Sequence, residues 1–460
     1  MKRIGCGLLF CLACSISAWP SPAQAEDLLQ VYELALRRDP KILEVEASRD
    51  AALEVKPQSV ARLLPTLAIV GNLNQSRFDT TNTFTNQQVG IQHFWDSTLY
   101  LKLSQPIYHH DYWVGLSQAD NLVAQAEAEY GAEQQSLFIR TAKAYFAVLS
   151  AQDNLEFANA EKTALERQMQ QADRKFEVGE MAVTDLREAQ AGYDLSVASA
   201  IAAQRAVYVA KVALREIIGV SDIDLSRLGA DMPLPEPAPS SLEAWSELSQ
   251  RNNLTVIAAE NRAESARKNV ELQFAGHYPT LDLVGSVGIA DSDRPAGLVA
   301  NSQSVGVQMN IPLFQGGAVS SKVRQAGHQY DAALHEVDKN RREVEKQVQD
   351  AFYGVMFSIR QVKALHTAVE STGTAVEAAE AGLRVGTRTM VDVLATQRAH
   401  YRARRDYAQA RYDFINNSLL LKQSASLLSR QDIELANGWL DKAAKTPRLP
   451  NGAAAQPTDL

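Results

Sequence analysis

The sequence predicts an α+β membrane protein built as a tandem duplication, in which pairs of amphipathic strands alternate with very long antiparallel helical hairpins. Three observations carry this. The stretch Leu64-Pro65-Thr66-Leu67-Ala68-Ile69-Val70-Gly71 reappears, 214 residues on, as Tyr278-Pro279-Thr280-Leu281-Asp282-Leu283-Val284-Gly285. Around each copy apolar and polar residues alternate with a period of two, as in strands with one apolar and one wet face. No proline occurs between Tyr108 and Met232 or between Leu313 and Thr446, so each half can run helices far longer than globular proteins use.

In chain order, Lys2 and Arg3 precede an apolar stretch from Gly5 to Ala18 and the small-residue pattern Ala23-Gln24-Ala25. This is the layout of a cleaved secretory signal, residues 1–25. Cys6, Cys11 and Cys14 all lie inside it, which leaves the exported chain without a thiol, disulfide or cysteine metal site. A lipid-anchored Cys11 or Cys14 is the competing reading, but neither follows a Leu-small-small run. Beyond the signal no apolar run approaches the roughly 20 residues a membrane helix needs, so membrane insertion is expected to use strands. The net charge of −8 argues against a nucleic-acid partner, which rewards a basic footprint.

The first repeat, 26–232, opens with helical text from Leu28 to Val60, interrupted near Pro40; the second, 241–445, opens with Leu242 to Phe274, so that Asp39 aligns with Asn253. Each repeat continues with a strand, a polar loop (Ser76 to Ser97; Asp291 to Ser302) and a second strand ending at proline. Val305, Val307, Met309 and Ile311 share one face of such a strand, opposite Gly306, Gln308 and Asn310. Phe94, Trp95, Tyr100, Tyr108, Tyr112, Trp113, Tyr278 and Phe314 fall near strand ends, where aromatic girdles of membrane barrels lie. An ordinary two-layer soluble sheet, with these aromatics as core, is the alternative. Between the repeats, 233–240 carries the alternating prolines of an extended connector. The Pro- and Ala-rich 446–460 reads as a disordered tail.

From Tyr108 to Val178 a helix would span roughly 100 Å. Phe352, Val355, Ile359, Val362, Val369 and Val376 follow the three-four spacing of a coiled-coil seam. Val178-Gly179 and Val385-Gly386 break the two helical regions at matching places, where glycine suits the left-handed position after a helix end. Each half thus reads as a hairpin with its tip at the glycine and both ends returning to the strands. Four strands cannot close a barrel, and a membrane barrel has no open edge. Three chains would supply twelve; two or four would satisfy the same argument.

The runs Ile311-Pro312-Leu313-Phe314-Gln315-Gly316-Gly317, His277-Tyr278-Pro279-Thr280-Leu281-Asp282-Leu283, Val385-Gly386-Thr387-Arg388-Thr389-Met390-Val391-Asp392-Val393-Leu394 and Arg411-Tyr412-Asp413-Phe414-Ile415-Asn416 resemble the TolC family of outer-membrane efflux and secretion channels, and the resemblance covers nearly the whole exported chain. It implies a homotrimer in outer-membrane lipid: a twelve-stranded β-barrel continued by a helical coiled-coil tunnel, closed at its periplasmic end until a periplasmic adaptor (membrane fusion) protein and an inner-membrane ABC or proton-driven transporter dock. The resemblance further implies a periplasmic gate in which Arg388 pairs with Thr184 and Asp185, and a pore acidic ring from Asp392, whose three copies would raise one another's pKa by repulsion. The alternative for Thr184, Asp185 and Asp392 is helix capping. Two positions depart from the family pattern: Leu383 stands where an entrance tyrosine is expected, and Ala395 where a second acidic residue is.

No catalytic constellation or cofactor motif is present, so no enzyme activity and no cofactor are expected. His93, His109, His110 and His277 read as polar rim near strand ends rather than as metal ligands. A periplasmic adaptor or structural coiled-coil protein is the second functional reading, but adaptors lack a duplicated amphipathic strand pair.

Overall fold

The computed structural model describes residues 26–82, 87–221, 223–229, 232–293 and 298–445. The segments read as signal and tail, 1–25 and 446–460, lie outside the described residues. Each half opens with helices started by a polar cap. Asp27 accepts from the Gln30 N–H at 3.0 Å to begin α1 (Leu28–Arg38), and Asp39 with Pro40 behind it begins α2 (Pro40–Leu53), followed by α3 (Val55–Ala61). In the second half Ser241 caps α6 (Leu242–Asn252), and Asn253 caps α7 (Leu254–Phe274) by accepting from Thr255 and Val256. The aligned Asp39 and Asn253 therefore do the same work, satisfying N–H groups that a helix start leaves bare.

A four-stranded antiparallel sheet follows in the order β1 (Thr66–Asn82), β2 (Gln87–Tyr108), β4 (Thr280–Ser292), β5 (Leu298–Asn310). The register lines up Ile69, Leu101 and Val287 on one face, together with the pairs Leu67–Leu103, Leu99–Ile289 and Leu283–Val307. On the other face Lys102 stands opposite Ser286, and Ser286 hydrogen-bonds Ser304 at 2.8 Å. The apolar face is open: Val305 is 83% and Ile69 73% exposed, and contiguous apolar rows of this size mark a surface made for something other than water.

Two expectations need correction here. The polar stretches read as loops are mostly strand, since β1 runs on to Asn82 and β5 begins at Leu298; polar side chains do not stop antiparallel pairing, because the ladder is made by the backbone. Nor do all the aromatics line a rim. Phe94 is 3% exposed, and Tyr100 lies on the face opposite Leu101, packed so closely over Gly288 that a Cβ there would come within 2.2 Å of its ring.

The hairpins are α4 (His110–Glu177) with α5 (Val183–Ile218), and α8 (Ala318–Arg384) with α9 (Met390–Ser424). At 68 and 67 residues, α4 and α8 each reach about 100 Å. The return arms are half as long, 36 and 35 residues, so they do not run back to the strands as the sequence led us to expect. The strand-side half of α4 is covered instead by α3 and α7: Lys56 pairs with Asp120, and Lys268 of α7 donates to Ser117 and Asn121. The same α7 reaches α8 through Arg262–Glu336 and Arg341–Glu260. Along the predicted seam of α8, Phe352, Val355, Ile359 and Val362 are buried, whereas Val369 and Val376 are half-buried. By length and composition α5 could cross a membrane, contrary to the expectation that no such segment follows the signal; its alanine-rich text instead packs along α4, where small side chains let the two helices close.

Around the middle of the hairpins sits the main core, including Phe138, Tyr145, Phe146, Trp245 and Phe414. It is capped by α10 (Arg430–Gly438) and by a two-stranded sheet of β3 (Ser226–Leu228) and β6 (Leu440–Lys445). Neither the small sheet nor α10 was expected from the sequence. The proline connector threads past this collar, with Trp245 Nε1 donating to the Pro239 carbonyl at 2.7 Å.

Candidate functional site

The two hairpin tips are built alike. Gly179 and Gly386 take φ of 76° and 79°, a left-handed conformation that a side chain would disfavour. Around each, the amide two residues past the helix cap turns back onto the last free carbonyls: Glu180 donates to Lys175 at 2.8 Å and Thr387 to Gly382 at 2.9 Å, while Gly179 donates to Phe176 and Gly386 to Leu383. This is the Schellman arrangement. It reverses the chain within a few residues and leaves Val178 and Val385 exposed at the two apices.

Beyond the turns the halves diverge. Thr389 caps α9 and shares a reciprocal pair of bonds with Asp392: the Asp392 N–H donates to Thr389 Oγ1 at 3.2 Å, and Asp392 Oδ2 accepts from the Thr389 N–H and hydroxyl at 3.0 and 2.9 Å. These bonds, with Arg388 nearby, hold the Asp392 carboxyl below the usual carboxylate range. Within one chain, then, Asp392 is a capping residue with a lowered pKa, opposite in direction to the repulsive rise expected for a ring of three. Thr184 and Asp185 occupy the first turn of α5, but the cap position is Ala182 and no side chain bonds there. The capping alternative thus holds for Asp392 and fails for Thr184 and Asp185.

Arg388 is exposed and its stem lies over Gly382 of its own hairpin, where a Cβ would come within 2.6 Å of Arg388 Cγ. Among the described residues no hydrogen bond or ion pair joins Arg388 to Thr184 or Asp185 within the chain. Ala395 is exposed. Leu383 is drawn into an apolar cluster: Leu165, Ala172 and Ala189 of the first hairpin pack with Met390 and Leu394 of the second, and Met181, Leu186 and Leu383 close the cluster toward the tips. At Gly192 α5 runs close to α9, so that a Cβ there would sit in ordinary contact with Arg398 and Leu394 at 3.4 and 3.8 Å.

A second polar constellation, not anticipated from the sequence, ties the two hairpins at the collar. Tyr412 of α9 donates to Asp153 Oδ2 of α4 at 2.6 Å, and Arg227 of β3 bridges Asp153 and Glu156. Burial pushes the Asp153 carboxyl up, with Tyr412 and Arg227 pulling partly back. The Tyr412 hydroxyl is raised by burial and by Asp153, so it stays protonated as donor. At the junction of sheet and tunnel, His109 Nε2 lies 3.1 Å from Asp282 with its ring stacked on Tyr112.

Comparison with known proteins accords with this architecture. The family model described as outer membrane efflux protein matches twice, over residues 31–220 and 245–426, one match on each hairpin-bearing half. The outer membrane protein TolC of Vibrio cholerae serotype O1 is 36% identical over 94% of this chain and 98% of its own length. The proteases secretion protein PrtF of Dickeya chrysanthemi is 30% identical over 92% of each. Among solved structures, the CmeC outer membrane channel of Campylobacter jejuni superposes with a TM-score of 0.78 over 91% of both chains at 16% identity, a likeness of fold. A duplicated strand pair with an open apolar face, continuous with two 100 Å-class hairpins, is thus the chain of an outer-membrane export channel, and this protein belongs to the TolC family of outer membrane efflux proteins.

Proposed function

We propose that three copies of this chain close a twelve-stranded barrel in outer-membrane lipid and form one duct whose periplasmic entrance is the ring of hairpin tips. The observation that carries the reading is the sheet: β1 and β5 each have one neighbour in the chain, so both outer edges need a strand from another copy, and unpaired edge groups are not tolerated in hydrocarbon. The exposed apolar residues Leu195, Ile201 and Tyr208 on α5 and Tyr353 and Phe357 on α8 supply matching flanks for packing helices of adjacent copies into a ring. Such a duct carries no chemistry of its own; it needs no catalytic residue and draws its energy from an inner-membrane transporter through a periplasmic adaptor. The bare valines at the tips, Val178 and Val385, offer the surface on which that adaptor docks. Its cargo spans proteins and small toxic molecules, in keeping with a relative named for protease secretion and a family named for efflux. The adaptor reading of the chain itself is not favoured, because the family match covers both halves, strands included.

At the entrance, Arg388 links to Thr184 and Asp185 of a neighbouring copy and Asp392 lines the narrowest ring. Support comes from the exposure of Arg388 and Thr184 and from the absence of any bond between them inside one chain. The test is single-channel conductance of the purified protein in planar bilayers. Arg388→Ser is expected to raise it severalfold with the trimer intact; an unchanged conductance overturns the polar gate.

A further inference from the structure

We propose that the tips are held shut chiefly by an apolar clasp, in which Leu383 and Met390 of the second hairpin grip Leu186 and Met181 of the first. This rests on the reading of the tips as the gate and names what closes it. The warrant is the contrast between two kinds of contact in the same place. Within a chain the tip regions of the two hairpins share no hydrogen bond or ion pair among the described residues, yet they share a continuous apolar cluster drawn from α4, α5, α8, α9 and the first turn. Ala172 and Ala189 at its centre are fully buried and Met390 nearly so, so the hairpins approach closely there, while Met181, Leu186 and Leu383 are only partly buried. The clasp therefore has a closely packed centre and a looser margin at Met181, Leu186 and Leu383, the side chains at which it can part. Methionine suits such a joint, because its flexible thioether keeps contact as the partner surface shifts. The leucine at 383 belongs to this device: a side chain without a hydrogen-bonding group is matched by an apolar receiver rather than left as a missing link.

A clasp of this kind differs from a charge latch in its response to salt. Charge pairs at an exposed tip weaken as the Debye length falls from about 10 Å at 0.1 M to about 3 Å at 1 M, whereas apolar contact does not weaken. The experiment measures single-channel conductance, divided by bulk conductivity, for wild type, Leu383→Ser, Leu186→Ser, Leu383→Met and Arg388→Ser across that salt range, with heat-modifiable trimers scored by gel mobility. Expected are a wild type whose normalised conductance stays below that of both serine variants at every salt concentration, severalfold wider openings for both serine variants with trimers intact, and a closed channel for Leu383→Met, which keeps the apolar contact. If Arg388→Ser opens the channel while both serine variants stay closed, the clasp is overturned and the polar gate stands. If no tip variant opens it, the tips are not the gate and both readings fall. A wild type whose normalised conductance climbs with salt to the level of the serine variants also overturns the clasp.

Discussion

Single side chains at helix starts decide much of this fold, because a 100 Å helix that begins or ends a residue out of place misaligns everything it pairs with. Thr389 and Asp392 fix the start of α9 by reciprocal bonds, and at the start of α10 the Ser429 N–H and hydroxyl both donate to Asp432 Oδ2. Asp432 also accepts from Lys422 Nζ of α9 at 2.5 Å, so it binds α10 to the hairpin. Burial would raise its carboxyl, but the Lys422 bond and the Ser429 hydroxyl and amide hold it below the ordinary 3.8. A carboxyl whose pKa is depressed by folding stabilises the fold above its unfolded value and loses that contribution as pH falls through the folded value. Acidification from pH 6 to pH 3 should therefore lower the melting temperature of the purified protein. Asp432→Asn, which keeps a cap but cannot form the ion pair, should melt earlier at pH 6, by the equivalent of about 1 kcal/mol, and show a smaller acid-induced drop. Equal drops in the two proteins would refute the assignment.

At the scale of elements, the β4–β5 pair and its β1–β2 counterpart are proposed to present one face to lipid, and the claim can be tested at Val305, the most exposed large apolar residue in the strands among the described residues. Val305→Arg should prevent assembly of heat-modifiable trimers, since arginine on a lipid-facing strand costs about 2–4 kcal/mol at the bilayer midplane, and three copies carry it at once. Gln308→Arg, on the opposite face, should assemble normally; equal assembly of both variants would mean that the face does not meet lipid. This face was legible in the sequence, because strand alternation with a period of two survives without any tertiary information. So were the hairpins, through proline-free text, and their tips, through glycines that only a left-handed turn explains. The collar was not legible: β3 spans three residues, and its identity comes from a partner, β6, more than two hundred residues away. The half-length return arms escaped for a related reason, since helical text past Gly219 resumes in α6 and α7 and their pairing with α4 and α8 is a tertiary choice. At the site, capping by Asp392 was legible as the alternative to an acidic ring, while the Asp153–Tyr412–Arg227 cluster was not, because its members come from three elements with no shared motif.

For the whole molecule, the proposed gate requires the lower hairpins to part while the barrel and collar stay fixed. Asp153 lies 24 residues before Glu177, the last residue of α4, which places the Asp153–Tyr412–Arg227 cluster about 36 Å above the tip. It joins α4, α9 and β3 with charged hydrogen bonds around buried Tyr412, and toward the tips the hairpins meet through apolar contacts such as Gly192 against Leu394 and the tip cluster. Directional bonds resist sliding, whereas apolar surfaces lose little by a small shift; under the proposed gating the cluster would be the fixed point about which the lower arms swing. A fixed point and a latch fail differently. Tyr412→Phe removes one buried hydrogen bond to a carboxylate, a loss of about 1.5–3 kcal/mol, and should lower the melting temperature by several degrees while leaving the closed-channel conductance at the wild-type level. Leu383→Ser should do the reverse. If Tyr412→Phe opened the channel as widely as the tip variants, closure would have to be a property of the whole hairpin length, with strain at the collar propagating to the entrance rather than stopping at a pivot.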